Sequence, residues 1–235
     1  MSGNDRGRGD GRERRRVDPE ARAEWRRERQ KRGFDRFLLF TDAVVAIAIT
    51  LLILPVVERA SDITGDDLTV SAIFRESGTQ IYGFLLSFVV IAVMWLRHQE
   101  IFQNVETINR PLVWVNLGWL LTVIALAFTT ALTALHGSDS IAAPIYIANV
   151  ALNSLMLTCS VTILSRKPEL LYPDTPPHAV HVRGSWIATG LLALAVVVVL
   201  LVPPVSYYAM FLLFLQRPLM QRLVSKEELQ DDWDA

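Results

Sequence analysis

In "RFLLFTDAVVAIAIT", residues 36–50, Asp42 stands inside an otherwise apolar run. Ionised side chains within a membrane helix are costly, so they face a partner, a cavity or an ion path. A lone carboxylate there has few kinds of work open to it. It can bind cations on a conduction route, relay protons, or fasten its helix to neighbours by pairing with a base. The candidate bases are Arg36 on the same segment, and Arg97 and His98 in "MWLRHQE", residues 94–100.

Helix geometry separates these roles. At about 100° per residue, Ile47, Thr50, Leu51 and Leu54 fall on one stripe, which Ala43 extends toward the N-terminus. Asp42 lies about 140° round the axis from Ile47. If the stripe lines a passage, Asp42 points into the bundle, and the converse also holds. The fastener reading is preferred. Arg36 is awkward in it, because its register is close to that of Ile47 and six residues is a poor spacing for a pair with Asp42.

The elements that must position these residues read as membrane spans. The 235-residue chain is 51% hydrophobic with a net charge of −1. Of its 24 acidic residues, Asp42 alone resists placement in a loop or tail. Six apolar segments follow a charged N-terminus: 37–57, about 78–95, about 112–135, about 141–164, 186–202, and a short one at about 204–216. Basic residues mark the cytoplasmic side. Arg97, Arg110, Arg166, Lys167, Arg183 and Arg217 all fall on one side if both termini are inside, and the loop at 58–76 is acidic. The fold class expected is an all-α membrane protein with six spans and both termini cytoplasmic.

Residues 1–33 form a basic extension: a Gly/Arg/Asp-rich disordered stretch, then a short juxtamembrane helix from Asp18 that ends with Gly33 as its cap. That helix reads as a solvated juxtamembrane segment, with contact between Trp25 and anionic lipid headgroups as the sharper alternative. Residues 34–220 form the membrane domain and 221–235 an acidic tail. Asn116, Thr122, Thr129, Thr130 and Asn153 are expected to hydrogen-bond between helices. Trp114, Trp119 and Trp186 read as interface anchors or packing groups. Cys159 has no intrachain partner.

Enzymatic signatures are missing. There is no glycine-rich phosphate loop, no HExxH and no GxSxG; a TVGYG-type carbonyl filter is also missing. The four histidines form no metal-ligand motif, so neither a metal nor a cofactor is expected. Nucleic acid is not an expected partner.

Arg36, Phe40, Thr41 and Asp42, in the spacing RxxxF[S/T]D before "AVVAIAITLLIL" (43–54), resemble the transmembrane protein 175 family of potassium channels. Trp95 and His98, as Trp-x-x-His, and the six spans are similar too. The resemblance implies a homotetramer whose four first helices line a central pore in a bacterial-type plasma membrane. It implies a hydrophobic constriction at Ile47 beside a threonine ring at Thr50, K+ as the permeant ion, and a structural network of Arg36, Thr41, Asp42 and His98. The competing reading is a proton-coupled secondary transporter using Asp42 and His98. A non-conducting scaffold that binds a partner through the basic extension is a third.

Overall fold

The computed structural model describes residues 19–63, 69–135, 141–173 and 179–201. Within them the chain is helical throughout: α1 (Pro19–Leu51), α2 (Leu54–Asp62), α3 (Val70–Glu76), α4 (Gly78–Phe102), α5 (Arg110–Leu135), α6 (Ala142–Arg166) and α7 (Ala179–Leu201), with a 3-10 turn at Pro168–Leu170. Five helical stretches are long and apolar enough to cross a membrane, α1 and α2 counting together as the first. The sixth expected span at 204–216, the disordered N-terminal stretch, the acidic tail and the "HGSDS" loop (136–140) lie outside the described residues.

Local chemistry explains several boundaries. Asn109 Oδ1 accepts from the Leu112 amide at 2.9 Å and so caps α5, whose second residue is Pro111. Thr69 caps α3 through its hydroxyl oxygen, which accepts from the Ala72 amide at 3.3 Å. Pro168 follows α6 directly and turns the chain into the 3-10 segment.

Three expectations need correction. No cap forms at Gly33: α1 runs through it without a break. A glycine in a helix interior costs only about 1 kcal/mol. Helix-forming neighbours, and Phe34 buried in the core on the next position, outweigh that. Conversely, the first span is not one helix. It breaks at Leu52–Ile53, and α2 resumes with Pro55 in its first turn. Pro55 has no amide hydrogen to give the Leu51 carbonyl. The amides of Leu52 and Ile53 bond instead three residues back, to the carbonyls of Ile49 and Thr50, at 3.3 and 3.4 Å. The second span also extends to Phe102, seven residues beyond Trp95, which places Arg97, His98 and Glu100 on helix rather than loop.

α5 and α6 form the centre. α6 packs between α5 and α7, α4 packs on α5, and α1 lies chiefly against α5 and less extensively against α4. One apolar cluster fills the bundle interior, including Val45, Ala48, Leu52, Ile91, Trp119 and Ile147. A second lies at one end and joins Phe34, Phe102, Val105, Leu112, Leu164 and Leu170. There the 103–109 and 167–173 connections are tied by an antiparallel bridge between Val105 and Leu171. The start of the first span is thus anchored by Phe34 to the ends of three other helices.

Many polar groups inside the bundle find partners, as a hydrocarbon surround favours, although His98 Nδ1 is buried without one. Thr130 Oγ1 donates to Ser87 Oγ at 2.7 Å, and Ser87 meets the Tyr146 hydroxyl at 3.1 Å. Trp119 Nε1 donates to Asn153 Oδ1 at 3.1 Å, and Asn153 Nδ2 donates to Thr122 Oγ1 at 2.8 Å. Thr189 links Ser154 and Thr158 at 2.9 and 2.8 Å. Thr129 differs from the expectation: its hydroxyl bonds back to the Leu126 carbonyl of its own helix. Trp119 is buried, whereas Trp114 and Trp186 are exposed on the outer surface of the bundle.

Candidate functional site

The two sides of α1 meet different surroundings. Thr41, Val45, Ala48 and Leu52 recur every three or four residues and are buried against the other helices. Ala43, Ile47, Thr50, Leu51 and Leu54 are exposed, Ile47 at 60% against 1% for Leu52. The helix break falls between Leu51 and Leu54, so the expected stripe is split. Its lower part is regular α1, and Leu54 opens α2. Thr50 keeps its hydroxyl close to the backbone, donating to the Ile47 carbonyl at 2.7 Å. The oxygen lone pairs remain on the exposed side.

Asp42 is half-buried between the two faces. Its donors come from α4. Trp95 Nε1 and Gln99 Nε2 both donate to Asp42 Oδ1, at 2.9 and 2.6 Å. Trp95 and Gln99 are one helical turn apart, so both reach the same carboxylate oxygen. The partner strip is the expected one, but the donors are an indole and an amide where Arg97 or His98 was expected to be the partner. Gln99 was missed. The signal for it was its i,i+4 spacing from Trp95, which outranks formal charge when one helix face must be matched.

His98 is turned elsewhere. It is fully buried and lies flat between Phe102 and Trp119, with ring centroids at 4.2 and 4.3 Å. Its Nε2 lies 2.7 Å from Asn116 Oδ1. Asn116 Nδ2 donates to Thr41 Oγ1 at 2.9 Å, and Thr41 donates to the Phe37 carbonyl at 3.0 Å. With the Asn116 amide oriented in this way, its oxygen accepts, so Nε2 carries the imidazole proton. The chain His98–Asn116–Thr41 therefore ties α4, α5 and α1 together in one direction of donation.

Two separate clamps thus replace the single expected network: Asp42 with Trp95 and Gln99, and Thr41 with Asn116 and His98. Arg36 joins neither. It is exposed, and among the described residues it bonds to neither Asp42 nor His98. Its register carries it away from Asp42, as six residues at about 100° leave the two about 120° apart. Phe40 is exposed beside the open face, and Arg97 is half-buried on α4.

An integral membrane protein results, in which one half-open helix is clipped to a packed helical bundle by a carboxylate. Residues 36–126 match the family described as endosomal/lysosomal potassium channel TMEM175. A potassium channel of Streptomyces collinus is 29% identical over 160 residues, 65% of this chain and 75% of that protein. A potassium channel of Chamaesiphon minutus is 34% identical over 114 residues, 47% of this chain and 56% of that one. The endosomal/lysosomal proton channel TMEM175 of Mus musculus is 31% identical over 107 residues, 46% of this chain. The chain spans only about a fifth of that mouse protein's length (21%). The fold agrees with the crystal structure of a lysosomal potassium-selective channel TMEM175 homologue from Chamaesiphon minutus, with a TM-score of 0.60 at 22% identity over 81% of this chain and 98% of that one. The first spans thus match the TMEM175 family model, and the fold is that of a solved TMEM175 homologue.

Proposed function

We propose that this protein is a passive, moderately selective potassium channel, in which copies of α1 surround a central passage. The observation that carries this reading is the orientation of α1. Both clamps fasten the side bearing Thr41 and Asp42 to α4 and α5, so the side bearing Ile47 and Thr50 is left exposed, without a partner among the described residues. Four such faces closing on an axis form a homotetramer with the N-terminus cytoplasmic and the assembly in the plasma membrane.

The mechanism follows from side-chain chemistry. A ring of Ile47 is narrow and apolar, and such a constriction gates by dewetting. A small outward shift of the helices readmits water. An entering ion sheds part of its hydration, which costs K+ less than Na+. Thr50 oxygens replace part of that shell, and with few such ligands the selectivity is modest. Asp42 and His98 serve as positioning residues for α1, held in fixed hydrogen bonds away from the ion path.

Two relatives of prokaryotic type bear the name potassium channel, and one of them shares 75% of its length with this chain. The test is flux into liposomes holding the purified protein. Passive K+ uptake that exceeds Na+ uptake is expected, without saturation or coupling to a proton gradient. Proton-driven uptake with fixed stoichiometry would sink the reading in favour of a carrier.

A further inference from the structure

Because α1 is unbroken from Pro19 to Leu51, the register of Ile47 is carried out of the membrane domain. Arg29 lies eighteen residues before Ile47, five whole turns at 3.6 residues per turn. Arg22 and Arg36 stand seven residues to either side of Arg29, each within about 20° of the same line. The acidic residues Glu24, Glu28 and Asp35 fall about 100–140° away, on the side of Asp42. Arg22, Arg29 and Arg36 are exposed. Among the described residues, no carboxylate lies within ion-pair distance of any of them. Arg29 covers the Trp25 ring at 5.0 Å, which leaves its charge intact. Glu28 is engaged by Arg32 instead, at 3.5 Å.

We infer that Arg22, Arg29 and Arg36 form a basic sleeve over the N-terminal mouth of the pore, which depletes K+ there and biases conduction toward K+ entry. The inference rests on the pore reading above. The three arginine levels are spaced about 10 Å apart along the helix. In an assembly of several copies each level becomes a ring, and same-sign charge around an opening focuses the field into it. A potential of about one kT lowers the local concentration of a monovalent cation about threefold. Outward current starts from that depleted pool, whereas inward current starts from the opposite mouth. The alternative of lipid-headgroup contact for this segment is less favoured. A continuous helix puts Trp25 about 16 Å beyond Arg36 along the axis of the span.

The experiment measures K+ current in inside-out membrane patches containing the full-length protein. K+ on the cytoplasmic face is held at about 50 mM while an impermeant chloride salt raises the ionic strength to about 1 M, which shortens the Debye length to about 3 Å. The wild-type outward current should rise about threefold, with the inward current unchanged. R22Q/R29Q should begin at the raised outward current and respond little to the salt. Lys31→Gln removes one charge from the same stretch of helix but from its far side, and should keep the wild-type salt response. A wild-type response retained in R22Q/R29Q, or abolished equally by Lys31→Gln, overturns the sleeve. Absence of K+ current in the wild type removes the pore reading, and the sleeve with it.

Discussion

α6 and α1 are both apolar helices in one bundle, yet they are held in opposite ways. α6 buries a broad face, from Tyr146 and Ile147 through Asn153 and Ser154 to Thr158 and Val161, between α5 and α7, and leaves only a narrower strip with Ile145 and Leu152 exposed. Half of its apolar window is buried, against 22% for the first span. α1 is fastened along one line and open along the other. In lipid, packing and hydrogen bonds hold helices together, since hydrocarbon solvates leucine as well as a protein core does. The contrast therefore separates a helix whose role is structural from one whose exposed side is available for assembly and function.

The largest effect expected is at the packed centre. Trp119 fills space in α5, stacks on His98 and donates to Asn153 on α6. Trp119→Ala opens a cavity, frees the His98 ring on one side and leaves Asn153 Oδ1 without its indole donor. A loss of about 3 kcal/mol is expected, read as a lower unfolding temperature of the detergent-extracted protein. A loss below that of any single change on α1 would break the contrast between the two helices.

Asp42 sits at the seam between the two regimes, and its effect should be intermediate. Asp42→Ala leaves the Trp95 and Gln99 donors unmatched and should cost about 1.5–3 kcal/mol, the range for hydrogen bonds to a charged group. Asp42→Asn should cost less, because both donors bond the same oxygen and an amide oxygen can accept them. Thermal stability and the fraction of assembled protein in size-exclusion chromatography check the ranking. Equal losses for the two variants would mean that charge, rather than oxygen acceptance, holds the clamp.

What could be read from the sequence follows the same division. The presence of the five described spans was legible from hydropathy alone, because twenty apolar residues admit few alternatives in a bilayer, but the end of the second, at Phe102, was not. The two sides of α1 were legible from Ile47, Thr50 and Asp42, because register is arithmetic once a helix is assumed. The break at Leu52–Ile53 was less so, even with Pro55 in plain view, because proline is tolerated in membrane helices when neighbours re-satisfy the backbone. The partners of Asp42 were misjudged because charge drew the eye to Arg97 and His98. The structure used Trp95 and Gln99, whose shared face depends on how α4 is rotated against α1. No single-helix periodicity encodes that rotation. The continuity of α1 through Gly33 was hidden for a related reason: a glycine near a charge boundary resembles a stop, and its anchor, Phe34, packs on residues far away in sequence.

The smallest effect on stability, and the sharpest division between the two faces, is expected at Ile47. Its side chain is 60% exposed, so its loss strands no packed neighbour among the described residues. Ile47→Asn should therefore shift the unfolding temperature little, within the roughly 0.5 kcal/mol typical of surface changes. Its consequence should appear in flux instead. An amide at the narrowest apolar ring holds water, lowers the dewetting barrier and offers oxygen to any cation, so leak should rise and the preference for K+ over Na+ should fall. The same substitution at Leu52, about 1.4 turns further along but buried, should do the reverse by weakening the fold before it can alter conduction. If Ile47→Asn destabilises the protein while leaving reversal potentials untouched, the open side of α1 packs against another surface, and the passage must lie elsewhere.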